Sequence, residues 1–225
     1  MATEIRFQAT PSSGEVSALL ESPANARCLY VLAHGAGAGM RHPFLEAMAA
    51  RLAEREVATL RYQFPYMEKG ARRPGPAAVA EKTVRSAVAK ATELSDLPVI
   101  AGGKSYGGRM TAYALAKQRV PEVLGLAFLG FPLHAPGRDG TERWSPMSSV
   151  GLPMLFLQGS RDRLANRDLL RPLLPALEPP ATLHEIVDGD HSFKVPKRTG
   201  RSADEVLDEL AATLAQWATN LAQKR

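Results

Sequence analysis

The sequence predicts an α/β fold in which a mostly parallel, twisted sheet carries helices on both faces. From residue 26 onward, apolar runs typical of buried strands alternate with segments that have the 3.6-residue spacing of helices. The chain has 225 residues, 45% of them hydrophobic and 23% charged, which is enough for a sizeable core. We therefore expect a single domain over residues 1–225, with no internal repeat or linker.

The expected elements follow one another in a regular order. Turn residues at 11–14 separate two short strands, 4–10 and 15–20, which should form an antiparallel edge. Ser202 with Glu205 three residues later fits a capping box at the start of the last helix. Further strands are expected at 26–33, 57–61, 98–101, 123–131, 153–158 and 182–187, helices at 43–55, 77–94, 106–119, 165–177 and 202–222, and long connections at 62–76 and 134–150.

Composition argues against several classes of partner. The net charge is +5, the pI is near 9.5 and aromatic residues make up 6% of the chain, with no basic stripe interleaved with aromatics, so nucleic-acid binding is not expected. The single cysteine, Cys28, lies in an apolar run and indicates a small buried side chain in a reducing, cytoplasmic setting. An export signal is not recognisable, and the longest apolar stretch, near 123–133, is too short to span a bilayer.

The segment around Ser105 has the pattern of a nucleophilic serine. It reads Gly103-Lys104-Ser105-Tyr106-Gly107, which fits G-x-S-x-G, and it lies between a predicted strand and a predicted helix. In this motif the serine occupies a strained strand-to-helix turn, and the glycines allow strand and helix to pass closely. A phosphate loop would need glycine at position 98, where the chain has Pro98. A tight turn with an incidental serine is the alternative.

Two further residues complete the chemistry that such a serine needs. A base must take the serine proton, and a carboxylate must orient that base. Asp162 follows the predicted strand 153–158, and His191 follows the last predicted strand, so the order is Ser, Asp, His. Because carboxyl ends of parallel strands meet at one edge of a sheet, we expect the three side chains to lie together. Asp162 could instead form a turn, and Asp188 and Asp190 are rival acids for His191.

A glycine-rich loop at 35–39 follows another predicted strand and is expected to supply an oxyanion donor. Its glycines let backbone N–H groups turn toward a ligand, and we expect the donors to be the N–H groups of Ala36 and Tyr106. A dinucleotide site would require glycine at position 40, where the chain has Met40. His34 is interpreted as a hydrogen bonder that shapes this loop, with a catalytic base as the alternative. No histidine has the spacing of a zinc site, so neither a metal nor a cofactor is expected.

Together these motifs resemble the α/β-hydrolase superfamily over nearly the whole chain, and within it the small dienelactone-hydrolase-like hydrolases. A bacterial subgroup with relatives among testis-expressed and chromatin-complex proteins of animals is similar at His34-Gly35-Ala36-Gly37-Ala38-Gly39-Met40, His42-Pro43-Phe44, Phe64-Pro65-Tyr66, Gly103-Lys104-Ser105-Tyr106-Gly107-Gly108-Arg109, Phe131-Pro132-Leu133-His134 and Asp190-His191. The resemblance implies the α/β-hydrolase fold, with Ser105 as nucleophile, Asp162 as acid and His191 as base. Better-studied dienelactone hydrolases use a cysteine nucleophile, so a serine favours an ordinary ester or thioester.

The resemblance also suggests how substrate is held. The connection 134–150 stands where larger relatives insert a lid, and its shortness implies a minimal lid over a shallow, open site. Substrate-binding residues are expected at Gly35, Gly37, Tyr66, Lys104 and His134. Basic residues after strand ends either rim the cleft and favour an anionic substrate or form a solvated face; they are Arg72, Arg73, Lys194, Lys197 and Arg198.

The sequence thus predicts a serine hydrolase that cleaves a small ester or thioester through an acyl-enzyme. We expect a monomer or homodimer that acts on a small molecule, with no nucleic-acid or membrane partner. The alternative is a non-catalytic binding or scaffold protein that keeps the fold and uses its basic loops to contact a partner, because a fold does not guarantee an activity.

Overall fold

The computed structural model describes residues 2–224, and its centre is an eight-stranded sheet. The strands are β1 (Thr3–Thr10), β2 (Gly14–Glu21), β3 (Cys28–Ala33), β4 (Val57–Tyr62), β5 (Val99–Lys104), β6 (Val123–Leu129), β7 (Met154–Gly159) and β8 (Thr182–Ile186). Their spatial order is β1-β2-β4-β3-β5-β6-β7-β8, with β3 to β8 parallel and β1 and β2 forming the antiparallel edge. The predicted α/β class and mostly parallel sheet are confirmed.

Helices cover both faces of this sheet. They are α1 (Pro43–Ala53), α2 (Pro65–Glu68), α3 (Ala77–Leu94), α4 (Tyr106–Lys117), α5 (Arg167–Leu170) and α6 (Ala203–Ala222). One buried apolar cluster joins α1 and α6 to the sheet, through side chains such as Leu45 and Leu214. A second cluster on the opposite face includes Val84 of α3 and Met110 of α4. Among residues 2–224, no helix is both long and apolar enough to cross a membrane.

The start of α6 shows the predicted cap. The Ser202 hydroxyl accepts a hydrogen bond from the Glu205 N–H over 3.1 Å, and the Ser202 N–H donates to Glu205 Oε2 over 2.6 Å. Two of the N–H groups that a helix start leaves without helical partners are thereby satisfied.

Two expectations about the connections were wrong. The segment 165–177 is not one helix: α5 ends at Leu170 and a single 3₁₀ turn, Arg171–Leu173, follows. Pro172 and Pro175 explain the break, since neither has an N–H group to continue a helical hydrogen-bond ladder. The connection 62–76 is not wholly a loop either, because Pro65 starts the short helix α2 with its fixed backbone angle.

Four parallel strands end where the predicted site residues begin. β3 leads into the glycine-rich loop 35–39, β5 into Ser105, β7 into the turn that holds Asp162, and β8 into the turn that holds His191. The order of these strands in the sheet places the four loops along one edge.

Candidate active site

Ser105 occupies a strained turn between β5 and α4. Its backbone angles are φ 50° and ψ −113°, a positive φ that a residue with a side chain adopts at a cost of about 1–3 kcal/mol. The turn brings α4 against the neighbouring strand: a Cβ atom at position 107 would lie 2.6 Å from the carbonyl oxygens of Ala33 and His34. Only glycine fits at this position, so Gly107 allows α4 to pass close to the end of β3. This close packing places Ser105 at the edge of the sheet.

The three side chains expected to act together form one hydrogen-bonded chain. His191 Nε2 lies 2.8 Å from Ser105 Oγ, and His191 Nδ1 lies 2.7 Å from Asp162 Oδ2. Because the Asp162 carboxylate can only accept a hydrogen bond, Nδ1 carries the proton in the neutral ring. Nε2 is then left as the acceptor for the Ser105 hydroxyl.

Asp162 is fully buried, and its two oxygens are satisfied by three donors. Besides the His191 ring, Leu164 N–H donates to Oδ1 over 2.8 Å and Gln158 Nε2 donates to Oδ2 over 2.5 Å. A buried carboxylate without such partners would be costly. The site therefore holds the acid in one orientation beneath the imidazole.

Gln158 was not identified as a site residue from the sequence. Its Oε1 accepts a hydrogen bond from the Phe131 N–H over 2.9 Å, while its Nε2 group holds Asp162. It is the penultimate residue of the otherwise apolar strand β7 and is 2% exposed. The sequence does contain a signal for it: a polar amide near the end of a buried apolar run needs a hydrogen-bond partner inside the protein.

The two rival acids are used elsewhere. Asp190 Oδ1 accepts from the N–H groups of Ser192 and Lys194, over 2.8 and 2.9 Å, which stabilises its own turn. Asp188 Oδ1 lies 3.3 Å from Arg198 Nη2. Of the three candidates, the structure brings only Asp162 to the His191 ring within hydrogen-bond distance.

The glycine-rich loop lies beside the serine. A Cβ atom at Gly35 would be 4.0 Å from the Ser105 Cβ, and Ala36 lines the same cavity as Ser105 and Tyr106. The loop is held from outside by Tyr66, whose hydroxyl accepts a hydrogen bond from the Gly37 N–H over 3.1 Å. Both expected oxyanion donors, Ala36 and Tyr106, are thus next to the nucleophile.

His34 anchors the start of that loop from the interior. Its side chain is buried, its Nδ1 lies 2.7 Å from the Gly35 carbonyl oxygen, and its Nε2 accepts from the Phe64 N–H over 3.2 Å. These contacts need the neutral ring with the proton on Nδ1. Burial lowers the pKa of His34 from 6.5 to about 4 and keeps it neutral. Its contacts match the role of shaping the loop.

None of the five residues expected to bind substrate is part of the lining of the cavity that exposes Ser105: Gly35, Gly37, Tyr66, Lys104 and His134. Lys104 and His134 hold neighbouring loops instead. The Lys104 ammonium group donates to the His191 carbonyl oxygen over 2.6 Å and lies 5.2 Å from the centre of the Phe193 ring. Burial lowers its pKa from 10.5 to about 8. His134 is 1% exposed, and its Nε2 accepts from the Asn166 N–H over 3.0 Å.

A cavity of about 400 Å³ opens in front of Ser105. Two arginines that were not singled out, Arg109 and Arg143, contribute to its lining. The basic residues that were expected at the rim are exposed and are not part of that lining: Arg72, Arg73, Lys194, Lys197 and Arg198. Within residues 2–224, no group of three or more His, Cys, Asp or Glu side chains is placed to hold a metal ion.

Comparison with known families and structures agrees with this architecture. A family model described as an alpha/beta hydrolase domain matches residues 26–219. Among solved structures, the chain is similar to a dienelactone hydrolase from Anabaena variabilis, with 19% identity, a TM-score of 0.74, and coverage of 97% of this chain and 98% of that one.

Two other structures are similar to the same extent. A serine hydrolase without a lid from Xanthomonas campestris has 19% identity and a TM-score of 0.71, over 96% of this chain and 94% of that one. The esterase domain of a Rhodothermus marinus protein has 16% identity and a TM-score of 0.73, over 98% of both chains. At these identities the likeness shows a shared fold.

Proposed function

The chain belongs to the alpha/beta hydrolase family, and on that premise we propose that it is a serine hydrolase that cleaves a small ester or thioester through an acyl-enzyme. One observation carries the proposal: the His191 ring bridges Ser105 Oγ and the buried Asp162 carboxylate, with distances of 2.8 and 2.7 Å. The arrangement has the three roles that nucleophilic catalysis by serine needs.

In the first half of the proposed reaction, Ser105 Oγ attacks the carbonyl carbon of the substrate. His191 Nε2 takes the hydroxyl proton as the new C–O bond forms, and the carbonyl electron pair moves onto oxygen to give a tetrahedral oxyanion. Asp162 stabilises the resulting imidazolium, since it faces the Nδ1–H group and is itself held by Gln158.

The oxyanion needs hydrogen-bond donors already in place. The Tyr106 N–H is at the first turn of α4, where backbone N–H groups have no helical partner and the helix dipole favours negative charge. The Ala36 N–H is the second proposed donor, in the loop after β3. Each such donor contributes about 2.7–4 kcal/mol to transition-state stabilisation.

Collapse of the oxyanion breaks the bond to the leaving group, which departs as an alcohol or thiol with the proton from His191. Water then attacks the acyl-Ser105 ester while His191 takes a proton from that water. Collapse of the second oxyanion breaks the bond between the acyl carbon and Ser105 Oγ, His191 returns the proton to Oγ, and the acid product leaves. The structural neighbours also support the proposal of a serine hydrolase, because they include an esterase domain, a serine hydrolase without a lid and a dienelactone hydrolase.

A fluorophosphonate probe tests the nucleophile directly, because it labels a serine that an adjacent base activates. The wild-type protein should be labelled, and Ser105→Ala should not. Ser192→Ala is the matched control: Ser192 is an exposed serine next to His191, so its loss should leave labelling intact. Turnover of a 4-nitrophenyl ester and of an S-phenyl thioester by the same proteins then separates the two substrate classes.

Absence of labelling in a wild-type protein whose circular dichroism shows it to be folded would contradict the proposal. That outcome would favour the alternative of a binding protein that keeps the hydrolase fold.

A further inference from the structure

The cavity in front of Ser105 is lined by two arginines from different parts of the chain. Arg109 lies in the first turn of α4, one helical turn after the serine and therefore about 6 Å further along the helix axis. Arg143 comes from the connection between β6 and β7. Both line the cavity that also exposes Ser105.

Arg109 has no charged or hydrogen-bonding partner for its guanidinium group within residues 2–224, and its Nε atom is buried without a partner there. The guanidinium carbon lies 5.7 Å from the centre of the Tyr106 ring and 5.5 Å from that of Tyr113. The two rings hold the group by cation–π contact and fix its direction. A guanidinium group carries five N–H donors, so Arg109 retains unused donor capacity.

Among residues 2–224, one donor of the Arg143 side chain forms a hydrogen bond. Its Nη1 donates to the His134 carbonyl oxygen over 2.6 Å, and its backbone carbonyl accepts from the Tyr113 hydroxyl over 3.2 Å. Within the described residues it forms no ion pair, although the exposed carboxylate of Glu142 is its chain neighbour. The backbone contact sets the arginine over the cavity while its remaining donors stay available.

The two arginines repel each other. Burial, and after it the positive charge of Arg109, lowers the pKa of Arg143. The negative charge of Glu142 acts in the other direction on Arg143, but no Asp or Glu among the described residues lines the cavity that the two arginines share. Two like charges sharing a cavity are unfavourable unless an anion bridges them. Tyr106, which is 8% exposed and also lines the cavity, adds a buried hydroxyl group with no partner in the described part of the chain.

We infer that Arg109 and Arg143 form a subsite for a carboxylate group carried by the substrate, so that the enzyme prefers acidic esters or thioesters. The inference rests on the proposed function and names its substrate class. Planar guanidinium groups bind carboxylates through paired, charge-assisted hydrogen bonds. The subsite lies beside the nucleophile, so the acid group belongs to the same small molecule as the scissile carbonyl.

Two matched substrates test this inference. Mono(4-nitrophenyl) glutarate and 4-nitrophenyl pentanoate have the same leaving group and acyl-chain length, but only the first carries a carboxylate. The ratio of kcat/KM for the acidic ester to that for the neutral ester should fall by about 10- to 100-fold in Arg109→Gln and in Arg143→Gln, as expected for loss of a charge-assisted hydrogen bond.

The control variant is Arg119→Gln, which removes the same charge from an exposed arginine just beyond the C-terminal end of α4. Its ratio should equal that of the wild type. An unchanged ratio in folded Arg109→Gln and folded Arg143→Gln would overturn the inference while leaving the serine hydrolase intact. Using two arginines on separate elements keeps the test decisive if one variant does not fold.

A binding measurement separates this inference from the proposed function. Calorimetry of glutarate with Ser105→Ala needs no turnover, and binding should be lost when Arg143→Gln is added. If the wild type is not labelled by fluorophosphonate but glutarate still binds through the arginines, the subsite stands and the hydrolase proposal fails. Glutarate that does not bind Ser105→Ala, or that binds equally well without the arginine, would overturn the subsite.

Discussion

Gln158 Nε2 donates a hydrogen bond of 2.5 Å to Asp162 Oδ2, and both side chains are buried. The same carboxylate oxygen faces His191 Nδ1. The other end of the Gln158 amide is fixed by the Phe131 N–H. The glutamine therefore ties the acid to the backbone just after strand β6, so that the carboxylate orientation depends on that segment as well as on its own turn.

Replacing Gln158 by methionine should lower kcat for 4-nitrophenyl butyrate by about 10- to 100-fold, since Asp162 loses a charge-assisted hydrogen bond and its fixed orientation. Because Gln158 acts through Asp162, KM should change little while the acid limb of the pH–rate profile shifts. Gln118→Met, at an exposed glutamine, is the control. Equal effects on kcat and on thermal stability, with an unshifted pH profile, would indicate a purely structural role.

Asp162→Asn should lower kcat by about 10³- to 10⁴-fold, because an amide cannot stabilise the imidazolium and favours the wrong ring tautomer. Asp190→Asn should cost less than tenfold, since an amide oxygen can still accept from the Ser192 and Lys194 N–H groups. Both are measured as single turnovers of a 4-nitrophenyl ester. Full turnover by Asp162→Asn together with loss in Asp190→Asn would transfer the acid role to Asp190.

His34 should make the protein sensitive to mild acid. Its pKa is about 4 in the folded protein and 6.5 when unperturbed, so the unfolded chain binds the proton first as the pH falls. Stability is therefore lost between about pH 6.5 and 4, by about 2 kcal/mol at about pH 5. Urea unfolding of wild type and His34→Gln at two pH values measures this. Parallel losses in the two proteins would exclude His34 as the cause.

Lys104 should give a pH dependence of the same sign as His34, but at high pH. The folded state releases its proton near pH 8, whereas the unfolded chain keeps it to about 10.5, so stability rises with pH between these values. At about pH 9.5 the rise attributable to Lys104 should be about 2 kcal/mol. The difference in unfolding free energy between wild type and Lys104→Met should change by this amount from neutral pH, and an unchanged difference would contradict it.

Local patterns sufficed for most of the fold and for the position of the serine turn. Apolar runs, helical spacing and the Ser202 cap involve residues close in the chain, and the structure has the corresponding elements. The prediction of one helix over 165–177 was wrong because it gave more weight to the helical spacing of apolar residues than to the two prolines inside the segment. Gln158 was missed because its partner, Phe131, is 27 positions away, just beyond the end of the neighbouring strand β6.

The sequence by itself determined the fold class, the succession of strands and helices along the chain, and the presence of Ser105, Asp162 and His191 at strand ends, because these depend on periodicity and turn chemistry within a few residues. Only the tertiary structure decided which acid faces His191, since that contact joins residues 29 positions apart and depends on how two loops are packed. It also decided which basic side chains reach the cavity. Arg109 and Arg143 do so because a helix start and a distant connection meet in front of the serine, a meeting that no local pattern encodes.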